Sequence, residues 1–237
     1  MRGLTAGAAI AHGCRFSLDH YVEILGAALA QGYRCLGFLA FLCAPPAADE
    51  PTLLLRHDVD LSLDDAVTLA EQEARLGVRA TYFVRVHAER YNPFSPSGYR
   101  CVQRLLQLGC EVGLHYEVGH FAVEGRSAEE LLAAEKAVLE AVTGVAVVGA
   151  AAHLPKQLAA PLERATLTRL GLRYEAGEER FNLDTAFFSD SNRVLRNGCP
   201  LDVIGRRRRL YFTAHPYWWV HPNVDPAPVV RFLQSGS

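Results

Sequence analysis

The stretch Thr52-Leu53-Leu54-Leu55-Arg56-His57-Asp58-Val59-Asp60 is an apolar run, too short for a core helix, that ends in two carboxylates. Such a run reads as a strand buried on both faces, the habit of parallel sheets. Working outward, Ser62 with Asp65 three residues on opens a helix that stops at Gly77. Residues 80–84 supply a strand, 99–108 a helix, 111–115 a strand, and 127–142 a helix opened by a Ser127/Glu130 capping box. A strand at 145–151, a helix from about Pro161 to a stop at Gly171 and a strand at 210–214 continue the alternation. Upstream, Leu18, Tyr21, Val22, Leu25 and Leu29 recur at helical spacing after Ser17, a good N-cap. Strand and helix alternating over this length predict an α/β fold on a parallel sheet. No Ser/Gly-rich linker interrupts it, so one domain over 1–237 is expected, with a core of about 16–221 and a three-proline surface extension at 222–237.

The 237 residues, half of them hydrophobic and 21% charged, exclude disorder and a mini-protein. A net charge of −2 argues against a nucleic-acid or anionic-membrane binder and for a small-molecule partner. Six cysteines without a Cys-x-x-Cys pair read as reduced thiols in a cytoplasmic protein. The alanine-rich start is broken by Gly7, His12 and Gly13 and is not read as a signal peptide. No apolar run approaches the length of a transmembrane helix.

The chemistry gathers at predicted strand ends. Asp58 and Asp60 end one strand, His115 another, His153 follows a third and His215 the last. In a parallel barrel or open sheet the C-terminal edge collects catalytic groups from several strands. Asp58 and Asp60 are two apart, so both face the same way if the strand persists, and a cation would relieve their repulsion. Against this stands the plainer reading of Asp60 as a helix cap. His115 with His120 or His153 would complete a carboxylate-plus-two-imidazole set with positions left open. His215 precedes an aromatic cluster, Tyr217-Trp218-Trp219, and is suited to donate a proton. The polar cluster at 189–192 with Arg196 reads either as a turn or as a polyol contact.

The ordered motifs Arg56-His57-Asp58-Val59-Asp60, Ala80-Thr81-Tyr82-Phe83, Gly113-Leu114-His115-Tyr116-Glu117, Ser189-Asp190-Ser191 and His215-Pro216-Tyr217-Trp218-Trp219 resemble the polysaccharide deacetylase-like (NodB homology, carbohydrate esterase family 4) superfamily. Its cytosolic bacterial branch with a His-Asp-Val-Asp motif is the nearest in pattern. The resemblance implies a distorted (β/α)7-8 barrel and a divalent metal: zinc, with cobalt, nickel or manganese as alternatives. It also implies hydrolysis of an N-acetyl or related N-acyl group from an amino sugar. Carried over by position, Asp58 is the general base, Asp60 the metal carboxylate, His115 a metal ligand and His215 the general acid. Val59 separates the aspartates, which the usual motif keeps adjacent, so the roles of Asp58 and Asp60 could be exchanged. His115 and His120 are five apart rather than four, and a histidine at position 153 is a habit of this branch, which favours His153 as third ligand. Tyr82, Asp190, Ser191, Arg196 and Trp218 are the candidate substrate contacts. The competing expectations are a deformylase or non-sugar amidase, and a barrel that binds carbohydrate without turnover.

Overall fold

The computed structural model describes residues 14–117, 127–153, 162–195 and 197–235. In chain order the elements are α1 (Leu18–Ala30), β1 (Arg34–Leu36), α2 (Phe38–Cys43), β2 (Thr52–Val59), α3 (Leu63–Arg75), β3 (Thr81–Val84), α4 (Pro96–Gln107), β4 (Glu111–Glu117), α5 (Ala128–Thr143), β5 (Gly149–His153), α6 (Arg164–Arg169), β6 (Tyr174–Glu175), α7 (Glu179–Asn182), β7 (Ala186–Ser189), β8 (Arg209–Ala214), α8 (Pro216–Val220) and α9 (Pro226–Ser235).

Every ladder is parallel, and the strands lie in the order β6-β5-β4-β3-β2-β8-β7. β2 is the longest because one of its edges has two partners in succession: its first residues pair with β1 and Arg56 to Val59 pair with β3. The Tyr211 hydroxyl on β8 donates to the Ala176 carbonyl just past β6 at 3.1 Å. In a flat sheet those strands would stand five spacings, or about 24 Å, apart. The sheet therefore curls on itself into an open, distorted (β/α) barrel of eight strands with helices outside, as the resemblance implies.

Period-two alternation gives each strand two different faces. On β2, Leu53, Leu55 and Val59 join the large core under the helices, whereas Leu54 faces the barrel interior. The interior is filled at its base by α2: Phe38 stacks on Tyr174 at 5.1 Å and meets Phe83, Phe181 and Tyr211 edge-on. Gly113 makes that packing fit, since a Cβ there would come within 2.6 Å of the Phe83 ring. Removing such a plug costs about 3–5 kcal/mol for Phe→Ala.

Several boundaries differ from the sequence reading. α4 starts three residues earlier, with Ser95 accepting from the Gly98 amide and Pro96 filling the first helical position, where no N–H is needed. β5 starts later, because 145–148 lead out of α5, where the Val147 amide donates to Glu140. The tail is not a mere surface extension: α9 is a helix whose Val229 is buried. Pro226 and Pro228 fall in its first turn, where proline is tolerated.

Candidate active site

β2 carries Arg56 and Asp58 on its inner face, and Asp60 follows one residue beyond the strand. The parallel register sets β4 and β5 side by side, with His115 opposite Ala151, so His115 and His153 arrive at the same edge. His215 comes directly after β8. Asp60, His115 and His153 are all buried.

Asp60 Oδ1 lies 3.4 Å from His115 Nε2 and 3.3 Å from His153 Nδ1, and the two imidazole nitrogens are 3.4 Å apart. Three ligands at the roughly 2.0–2.1 Å usual for zinc, spread tetrahedrally, would define a triangle with edges of about 3.3–3.4 Å. The observed triangle matches that size. His115 Nδ1 is 3.0 Å from the Ala151 carbonyl, which can only accept, so Nδ1 carries the hydrogen and the Nε2 lone pair faces Asp60. Asp60 Oδ1 and His153 Nε2 are buried without a hydrogen-bond partner. An acceptor kept dry and unbonded beside two imidazoles is the expected chemistry of a cation site, and these residues fit a divalent metal.

Two further groups flank the triangle. Asp58 receives a bidentate pair from Arg56, with Nε 2.7 Å from Oδ1 and Nη2 2.8 Å from Oδ2. Burial pushes the Asp58 carboxyl up, but Arg56, His115 and His215 outweigh it and hold the group below its ordinary range. Burial likewise opposes ionisation of Asp60, and His153, His115 and His215 hold it well below that range. His215 Nε2 stands 3.6 Å from Asp60 Oδ2 and 4.0 Å from Asp58 Oδ2. Its Nδ1 donates to Asp190 Oδ1 at 2.5 Å, its backbone amide donates to the same carboxylate, and the Trp219 indole N–H donates to Oδ2 at 2.6 Å. Burial disfavours the imidazolium, yet Asp190 and then Asp60 and Asp58 raise its pKa to about 9.

The sequence-derived residues are thus partly united and partly dispersed. Asp58, Asp60, His115, His153 and His215 meet at one edge. His120 and Arg196 lie outside the described residues. Tyr82 is not a substrate contact: the register sets it opposite His57, on the outer face, where its hydroxyl donates to Glu73 under the helices. Asp190 is fully buried and its oxygens are taken by His215 and Trp219, so it acts behind His215 rather than on a ligand. Ser191 is exposed and its hydroxyl engages Ser189 at 2.8 Å, in keeping with a turn. Trp218 is buried, yet it lines a small cleft with Asp58, Asp60 and His215.

Sequence reasoning missed Arg56, whose signal was available: two before Asp58 on a strand is the same face. It also missed Tyr91, whose hydroxyl accepts from the Arg85 amide and donates to the Val59 carbonyl, tying two strand ends together beside Asp60. Arg85 forms a buried pair with Glu117 at 2.5 Å at the same edge.

No protein-family model matches the sequence, and no curated protein does. Among solved structures the chain is similar to IcaB from Ammonifex degensii, at 18% identity over 92% of this chain and 89% of that one, with a TM-score of 0.49. It is similar to a family 4 carbohydrate esterase from Bacillus anthracis at 14% identity, over 90% of this chain and 84% of that one, with a TM-score of 0.49. The chitin deacetylase from Colletotrichum lindemuthianum is similar at 15% identity, over 78% of this chain and 81% of that one, with a TM-score of 0.48.

Proposed function

We propose that this chain is a metal-dependent amide hydrolase of the polysaccharide deacetylase-like superfamily, removing an N-acetyl or related N-acyl group from an amino sugar or a small molecule that contains one. The observation that carries the reading is the triangle of Asp60, His115 and His153, flanked by a carboxylate and an imidazole held in complementary charge states. In this reading the three triangle residues hold the ion, zinc first among the candidates. A divalent cation bound there supplies Lewis-acid polarisation of the acyl carbonyl and a more acidic water.

The chain's own residues supply the proton transfers. Asp58, kept ionised by the Arg56 fork, accepts a proton from the attacking water, whose oxygen forms the new bond to the acyl carbon. His215, kept protonated by Asp190, gives its proton to the departing nitrogen as the C–N bond breaks. Amide and water become carboxylic acid and amine. Asp58 rather than Asp60 is assigned as base because Arg56 already occupies both its oxygens, whereas Asp60 has a free buried oxygen inside the triangle.

The test is release of acid from a panel of N-acetyl, N-formyl and longer N-acyl amino sugars and from non-sugar amides, with metal-loaded protein. Metal-dependent turnover of an N-acyl amino sugar, lost at least a hundredfold in Asp58→Asn and in His215→Ala, is the expected result. Near-normal activity in both variants would overturn the assignment, and turnover confined to formyl or non-sugar substrates would correct its substrate class.

A further inference from the structure

A second donor set lies away from the strand ends. Cys14 precedes α1, His20 lies in the first turn of α1, and Cys199 precedes a 3-10 turn at Pro200–Asp202, between β7 and β8. Their donor atoms converge: the two sulfurs are 2.9 Å apart, and His20 Nε2 is 3.0 Å from Cys14 Sγ and 3.4 Å from Cys199 Sγ. His20 Nδ1 lies 2.7 Å from Glu23 Oε2. A carboxylate only accepts, so the ring hydrogen sits on Nδ1 and the Nε2 lone pair is turned toward both sulfurs.

We propose that Cys14, His20 and Cys199 form a second, structural metal site for a thiophilic divalent ion such as zinc, taken up by two thiolates and one imidazole. Two thiolates with a neutral imidazole are a donor set for such ions, and a carboxylate on the far nitrogen of the ligating histidine is the usual outer support. The sulfurs are closer than the roughly 3.5–4.0 Å at which nonbonded heavy atoms rest. Two thiols are therefore crowded even with the Cys14 S–H turned to the Cys199 sulfur, and an ion that takes up both sulfurs, their protons leaving to solvent, offsets the charge and draws them apart. Tetrahedral zinc needs the sulfurs about 3.7–3.8 Å apart and each sulfur about 3.5 Å from the nitrogen, an opening of less than about 1 Å. Cys14 lies outside any helix or strand and is half-buried, so its side chain has room to make that movement. A disulfide would need the sulfurs to close by a similar amount. It would, however, leave the aim of His20 and its Glu23 support without a role.

The consequence is mechanical. The His20 ring stacks on Trp219 at 6.3 Å, and Trp219 donates to the Asp190 carboxylate that holds His215. An ion at the second site fixes the segment before α1 and the turn before β8 behind that relay. The proposal does not depend on the hydrolase reading.

The experiment uses the full chain purified under reducing conditions, stripped of metal and titrated with Co2+, reading cobalt per chain and the near-ultraviolet sulfur-to-cobalt charge-transfer band. The expected result is a band that saturates by two equivalents of cobalt in the unaltered chain and by one in His115→Ala, and that disappears in Cys14→Ser and in Cys199→Ser. Cys14→Ser alone keeps the test valid should the more buried Cys199→Ser fail to fold. Absence of the band, or its survival in Cys14→Ser, would overturn the proposal. So would a Cys14–Cys199 disulfide peptide in the unreduced native protein together with no band in the reduced one. Loss of metal in His115→Ala with the band intact separates this site from the one at the strand ends.

Discussion

On the outer face of β2, His57 and the hydroxyls of Tyr21 and Tyr82 all close on Glu73, at 2.6, 2.5 and 2.7 Å, and His57 and Glu73 are wholly buried. One residue along the same strand, on the inner face, Asp58 joins Asp60, His115, His153 and His215, where oxygen and nitrogen atoms approach without bonding and the His215 side chain keeps 14% of its surface open. Both clusters hold histidine and carboxylate behind a parallel sheet. What separates them is the carboxylate. In the outer cluster both Glu73 oxygens are taken by donors, which fastens α1 and α3 to the sheet and leaves only the far His57 nitrogen, Nδ1, without a partner. The inner one keeps Asp58 ionised and His215 protonated and leaves Asp60 Oδ1 unbonded, with capacity for something that is not protein. Residue type therefore does not mark a site; unspent hydrogen-bonding capacity at an accessible strand edge does.

That contrast is open to attack from both faces. Asp58→Asn should cost about 10²–10⁴-fold in kcat/KM of the protein that remains folded, beyond the stability lost with one arm of the Arg56 fork, measured on whichever amide proves to be a substrate. A loss of stability with kcat/KM of the folded protein near normal would make Asp58 a structural residue like His57. Glu73→Gln makes the reciprocal change outside. It leaves three buried donors short of a carboxylate and should cost about 1–3 kcal/mol of stability. That corresponds to a fall of about 2–12 °C in melting temperature for a chain of this size, with turnover of the remaining folded protein near normal. Activity lost with stability intact would erase the distinction between the faces.

A smaller effect concerns His215. Its folded pKa of about 9 lies above the ordinary 6.5, so its contribution to stability is fully present below about 6.5 and is lost as the pH rises through 9. As the proton donor it gives kcat/KM a basic limb above 6.5, drawn below 9 by whatever share of the Asp60 charge a bound cation offsets. Asp190→Asn should bring that limb down toward 6.5 and flatten the stability loss between pH 7 and 10, measured by rate profiles and thermal melts. A limb that does not move in Asp190→Asn would show that Asp190 does not hold the proton. Trp219→Phe removes one of the donors to Asp190 and should move the limb less.

Much of the fold was legible because its larger elements announce themselves locally. The apolar run of β2, the Ser62 and Ser127 caps and the glycine stops at 77 and 171 are short-range signals, and the structure uses them in that way. β1, α2, β6 and α7 escaped because they are two to six residues long, below the reach of periodicity. α2 matters all the same, since Phe38 plugs the barrel through contacts that exist only after the sheet curls. At the site, the strand-end rule found the five converging residues but not their partners. Tyr82 was misplaced because its face depends on the register with β2, which sequence does not carry. Asp190 was read as a turn residue or a substrate contact, because its partners are 25 and 29 residues away. No helix among the described residues is long and apolar enough to cross a membrane.

The most direct test is metal content at the inner face, by elemental analysis of the Cys14→Ser protein incubated with zinc and desalted, beside the same protein carrying His153→Ala. Close to one ion per chain in the first and almost none in the second is the predicted result. No ion in the first, or an equal amount in both, would contradict the assignment of Asp60, His115 and His153 as a metal triad.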